Sequence, residues 1–275
     1  MSRFIRMALV LASLGGVFLG VAFYFQWSWV KDFWPWSGGY MGRGNLTDLS
    51  YYFVSSILIA IAMPNFWVGL TGEFAALVGG AMNLGISASG IGLYMLQSYQ
   101  STDNERLLTG GIICLVEVGL AIAIFLWARR IPFADQRSLP RPLRVIFGVF
   151  AVLLVLVGGA LILKWPNVFP WPLRDEVSVV YGWIFLGAAF YFMYGILVPK
   201  WHNAAGQMMG FLAYDVVLIL PFLDHFDSVR DEHRASLIVY TAVVILSGLL
   251  AAFYLFIYPP TRLWRSHRVA AIAAG

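Results

Sequence analysis

Eight stretches of this chain, each about 20 residues long and poor in charge, alternate with short polar breaks. A hydrocarbon layer of about 30 Å is crossed by about 20 helical residues, and within it the backbone must satisfy its own N–H and C=O groups. The runs are Ile5 to Phe25, Leu49 to Ala62 with an extension through Pro64 to Trp67, Phe74 to Leu96, and Leu107 to Trp127. Leu143 to Leu163, Val177 to Val198, Met208 to Phe226 and Leu237 to Tyr258 follow. The expected fold is therefore all-α, an integral membrane helical bundle of about eight transmembrane helices.

Composition bears this out. Hydrophobic residues make up 60% of the 275 and charged ones only 12%, against about 25% charge in a soluble domain, which excludes an ordinary cytoplasmic enzyme. The 11 tryptophans, 13 tyrosines and 21 phenylalanines suit a bilayer, where amphipathic rings collect at headgroup level. Cys114 is the single cysteine and lies in an apolar run, so neither a disulfide framework nor a cysteine metal cluster is expected. The start, Met1-Ser2-Arg3-Phe4-Ile5-Arg6, has the basic flank of a signal peptide, yet the apolar run is long and lacks a cleavage site; it reads as a retained first helix.

Basic residues near helix ends set orientation. With the N-terminus inside, the inner side carries Arg3, Arg6, Arg129, Arg130, Arg137, Arg141, Arg144, Lys200, Arg262, Arg265 and Arg268. Lys31, Arg43, Arg106, Lys164, Arg174, Arg230 and Arg234 fall outside, offset there by Asp103, Glu105, Asp175, Glu176, Asp227, Asp231 and Glu232. Both termini are expected to be cytoplasmic. The net charge of +4 reads as topology and contact with anionic lipid, not nucleic acid.

The two halves echo one another. Trp34-Pro35-Trp36 follows the first run and Phe169-Pro170-Trp171 the fifth, 135 residues later, and the same spacing sets Pro64 on Pro199, Phe66 on Trp201, Gly80 on Asp215 and Arg130 on Arg265. This suggests two tandem four-helix repeats, 1–135 and 136–275, with the same orientation because each has an even number of spans.

Glu117 and Asp215 stand in the middle of their runs, where an acid costs roughly 2.5 to 3.5 kcal/mol on insertion scales and usually faces a bundle interior or wet cavity. No Lys, Arg or His lies in the middle of a predicted run to neutralise them; Arg6, Arg144 and His225 stand at run ends. Either they are neutral acids bonded to a neighbouring helix, or they form a proton- or cation-linked site with lining groups such as Asn83, Ser87 and Tyr214. Helix 3, with Ala75, Gly79, Gly80, Asn83, Gly85, Ser87, Ser89 and Gly90, is small enough for close approach and is expected at the centre. His225, Asp227, Asp231 and His233, with Asp224 and Glu232, crowd the outer loop, where imidazole and carboxylate suit a divalent ion or a solvated polar turn. The Trp34-Pro35-Trp36 and Phe169-Pro170-Trp171-Pro172 turns read as interfacial anchors, and His202 as an interfacial residue. No phosphate loop, dinucleotide fingerprint or hydrolase motif is present, and no cofactor is expected.

The run Phe169-Pro170-Trp171-Pro172-Leu173, then Tyr181-Gly182-Trp183, Trp201 and Asp224-His225-Phe226-Asp227, resembles a group of uncharacterised bacterial multi-pass membrane proteins. The resemblance covers the C-terminal half and implies a bacterial cytoplasmic membrane; the first half departs from it at Ser37-Gly38-Gly39. Three functions fit these residues: a small-solute or ion-coupled transporter using Glu117 and Asp215, a non-catalytic sensor or assembly subunit, and an enzyme acting on lipid at the outer face through His225 and His233. The non-enzymatic readings explain more of the sequence. The partners expected are the lipid bilayer and a small solute or ion.

Overall fold

The computed structural model describes residues 2–36, 41 and 47–263. Eight long helices follow one another: α1 Ser2–Tyr24, α2 Thr47–Thr71, α3 Leu77–Thr102, α4 Glu105–Ala128, α5 Arg141–Ile162, α6 Asp175–Leu197, α7 Trp201–His225 and α8 Asp231–Ala252. A 3-10 turn, Phe74–Ala76, leads into α3, and α8 ends in a π-helical turn, Phe253–Ile257. All eight are long and apolar enough to cross a membrane. Ser37-Gly38-Gly39, Arg43, Arg265, His267 and Arg268 lie outside the described residues.

Successive helices run in opposite senses, which gives the bundle two ends. The start of α1, the α2–α3 turn, the α4–α5 loop, the α6–α7 turn and residues 258–263 meet at one end, here called proximal: Arg6 Nε donates to Gly69 O at 2.9 Å, Ala134 N to Glu73, and Leu139 N to Pro199 O at 2.8 Å. The remaining turns form the distal end, where Asn104 Nδ2 donates to Pro35 O and Ser236 Oγ to Asn167 O.

Packing separates inner from outer helices. α2 pairs with α7 and α3 with α6, and each of the four carries one outer helix: α1 on α2, α4 on α3, α5 on α6, α8 on α7. The central windows of α1, α4 and α5 are only 22% buried, against 50% for α3, as expected when lipid replaces protein on the outer faces. Helix 3 is thus among the central helices, as its small side chains lead one to expect. A Cβ on Gly79 would collide with Tyr191, one on Gly90 with the Trp183 ring, and one on Gly187 of α6 would sit 2.5 Å from Asn83 Oδ1. Gly206 and Gly210, four apart on α7, do the same against α2, where a Cβ on Gly210 would meet Ala60 O at 3.0 Å.

The spacing of 135 is not kept by the helices. α5 begins 139 residues after α1, α6 128 after α2, α7 124 after α3 and α8 126 after α4. Pro64 is inside α2, which continues to Thr71, whereas Pro199 follows the end of α6. Gly80 is three residues into α3 and Asp215 is 14 into α7, so the two differ in depth by roughly 16 Å at 1.5 Å per residue. α7 also starts seven residues earlier than its apolar run: Trp201 to Met208 are buried on every face of the helix.

Candidate functional site

Asp215 sits at mid-length of α7, is 5% exposed, and faces α8. Ser247 Oγ lies 3.0 Å from each of its carboxylate oxygens, and Gly248 leaves the space the carboxyl fills, since a Cβ there would be 3.2 Å from Asp215 Oδ2. Ser247 Oγ is also 2.7 Å from Val243 O on its own helix. A hydroxyl has one hydrogen and two acceptor positions. If that hydrogen goes to Val243 O, Asp215 and Ser247 are bonded only when the carboxyl carries a hydrogen of its own. Tyr214, the neighbour of Asp215, packs its ring against Phe53, centroids 6.0 Å apart.

Glu117 stands at mid-length of α4, half-buried, with no hydrogen bond or ion pair among the described residues. α4 packs on α3 alone among the long helices to any extent, and α7 on α2 and α8, so the two acids belong to different seams. Asn83 and Ser87 belong to a third: Ser87 Oγ is 3.2 Å from both Asn83 Oδ1 and Trp183 O, at the point where Gly187 brings α6 against α3. An apolar groove of about 300 Å³ opens toward the lipid-facing side of α2, α7 and the π-helical turn, lined by Ile59, Met63, Leu212 and Phe256 among others.

At the distal end His225 and His233 are buried, at 5% and 4% exposure, while Asp227 and Asp231 are exposed. This is not the solvated turn that the sequence suggests for the two histidines. His233 Nδ1 donates to Phe169 O at 2.9 Å, and its Nε2 is 3.6 Å from Glu232 Oε1; His225 Nδ1 is 3.0 Å from Ser228 Oγ. Among the described residues no three His, Cys, Asp or Glu side chains gather as a metal would need. Phe169 and Trp171, read from sequence as interfacial anchors, are 2% and 1% exposed and close the bundle's core with Phe53 and Tyr181. Trp171 Nε1 donates to Ser50 Oγ at 2.9 Å. Trp34 is buried likewise, and Trp36 packs against it and against Tyr94.

The proximal end holds a polar cluster that the sequence reading passed over. Glu73, 5% exposed, accepts the backbone N–H of Ala134 at 3.1 Å and of Asp135 at 3.0 Å. Asp135 accepts from Arg137 Nε at 2.6 Å and lies 2.9 Å from His202 Nδ1. Burial raises the Asp135 carboxyl, but the bonds and charge of Arg137, with His202 beside it, more than offset this and hold it below the usual range. His202 is not at an interface with lipid: it is buried and stacks on Trp67, ring centroids 5.7 Å apart. Gln207, 4% exposed, has neither end of its amide bonded among the described residues. The polar run Trp201-His202-Asn203 through Gln207 looks like a turn because apolar patterning weighs side chains one at a time. Its Gly206–Gly210 spacing was the available sign of a packed helix.

Eight apolar helices with buried inner pairs and lipid-ready outer faces define the class: a multi-pass, membrane-embedded helical protein. Comparison with protein families, with characterised proteins and with solved structures gave no match.

Proposed function

We propose that the chain is a membrane carrier for a small solute or ion, coupled to proton binding at Asp215. The observation that carries this is the Asp215 carboxyl itself, buried at mid-span and held by one hydroxyl that already has a backbone partner. An intramembrane acid without a cation beside it holds a proton or exchanges one. The helix pairing supports a duplicated four-helix unit behind it. Replacing each helix by its counterpart in the other half turns α1·α2 into α5·α6, α2·α7 into α6·α3, and α3·α4 into α7·α8, and all six pairs are present. Units related in this way commonly move as bodies about a midplane site. The basic α4–α5 loop joins the units, the positive-inside rule favours a cytoplasmic proximal end with both termini on that side, and the resemblance of the C-terminal half points to a bacterial membrane.

Glu117 favours a second reading. Half-buried on an outer helix and unpaired among the described residues, it offers a hydrogen-bonding point to another membrane subunit, as an assembly or sensor component would use. The two readings separate in reconstituted vesicles. A carrier takes up protons when the pH is stepped, and Asp215→Asn lowers that uptake by about one proton per molecule while Glu117→Gln spares it. Equal uptake in all three proteins would leave the assembly reading standing.

A further inference from the structure

Asp215 lies about halfway along α7, so a proton reaching it must travel from one end of the bundle. On α8 the polar residues His233, Tyr240 and Ser247 follow at intervals of seven, which keeps them near one face of a helix; Thr241 adjoins Tyr240. His233 is at the distal mouth with Nε2 turned to the exposed Glu232 and Ser247 is at Asp215. Between them the Tyr240 hydroxyl and Thr241 Oγ1 are buried without a hydrogen-bond partner among the described residues. An unpaired buried hydroxyl costs about 1 to 3 kcal/mol, so two at one level call for an explanation. On α7, six residues beyond Asp215, Pro221 is inside the helix and buried. It lacks an N–H, which removes the helical donor to the Val217 carbonyl. Freed backbone groups of this kind inside a membrane are met by hydroxyls or by water.

We propose that the α7–α8 seam is the route by which protons pass between the distal end and Asp215, entering at Glu232 and His233 and crossing at Tyr240 and Thr241. This rests on the carrier reading. Seven residues of helix rise about 10.5 Å, so the steps are carried by water that enters when the seam loosens, and the Tyr240 and Thr241 hydroxyls and the Val217 carbonyl are the groups that hold it. The titratable side chains near the route are Tyr214 on α7, Tyr181 on α6, and His225 with His233 at the mouth. At the proximal end the first turns of α7, from Trp201 to Met208, are buried on every face.

The test is the infrared carboxylic-acid C=O band of the full-length protein in vesicles, assigned to Asp215 by its loss in Asp215→Asn and its survival in Glu117→Gln. Its exchange on transfer to D2O is timed in wild type, Tyr240→Phe, Thr241→Val and Tyr191→Phe. The route predicts that Tyr240→Phe and Thr241→Val slow exchange about tenfold, the effect of roughly 1.4 kcal/mol on the barrier, while Tyr191→Phe leaves it unchanged. Thr241→Val removes an unpaired hydroxyl at constant shape, so a merely structural threonine predicts unchanged exchange and equal or higher stability. Wild-type rates in both seam variants, with the Asp215 band present, overturn the route and leave the carrier reading intact. No Asp215 band in wild type overturns both.

Discussion

At the scale of single residues, the described polar contacts concentrate at the bundle's two ends, and of the two fully buried acids, Glu73 and Asp215, the less provided for is Asp215. Asp135 is its opposite: Arg137 bonds it at 2.6 Å and His202 lies beside it. Its folded carboxyl is held below the usual range, so the stability it contributes is present above the unfolded value of about 3.9 and is lost as pH falls through the folded value. Thermal unfolding followed between pH 6 and pH 2 should therefore show an acid limb that flattens in Asp135→Asn. An unchanged limb would mean the Arg137 contact does nothing for stability. Glu117 and Asp215 were legible in the sequence because an acid stands out in an apolar run. The proximal cluster was not, because Glu73, Asp135 and His202 are separated by 62 and 67 residues and only the turns between helices bring them together.

At the scale of helices, tight seams are set by glycine. Gly90 faces the Trp183 ring and Gly187 faces Asn83, so neither has room for a side chain, whereas Gly119 has nothing within 4 Å. Gly90→Val and Gly187→Val should each cost about 1 to 3 kcal/mol through overpacking, and Gly119→Val should stay within about 1 kcal/mol, a β-branched gain over glycine in helix propensity offsetting little. Detergent melting curves of the three variants measure this, and equal losses would show that the α3·α6 contact is not tight. The eight helices themselves were legible to within a few residues in most cases. The exception is α7, which starts seven residues before its apolar run; Pro64, in the extension of the second run, is carried inside α2 against Gly206, because in lipid a helix that stops leaves its backbone groups unsatisfied.

At the scale of the whole molecule, the architecture is two inner pairs, α2·α7 and α3·α6, each drawn from both halves of the chain. That interlocking was not legible, since equal spacing of aromatic-proline turns says nothing about which helix faces which. The proposed orientation rests on the excess of arginine on the proximal loops. In a Cys114→Ser background, Ser138→Cys should react with an impermeant thiol reagent only after cells are opened, and Asp227→Cys should react on intact cells. The reverse pattern would invert the protein in the membrane and move the mouth of the α7–α8 seam to the cytoplasm.

Because everything functional in this account passes through Asp215, the most direct measurement is the number of protons bound per molecule when the pH of reconstituted protein is stepped. Wild type should bind about one proton more than Asp215→Asn, and Glu117→Gln should bind as wild type does, as expected for a single linked group. Identical uptake by wild type and Asp215→Asn would contradict the account, leaving Asp215 a fixed hydrogen-bonding link between α7 and α8.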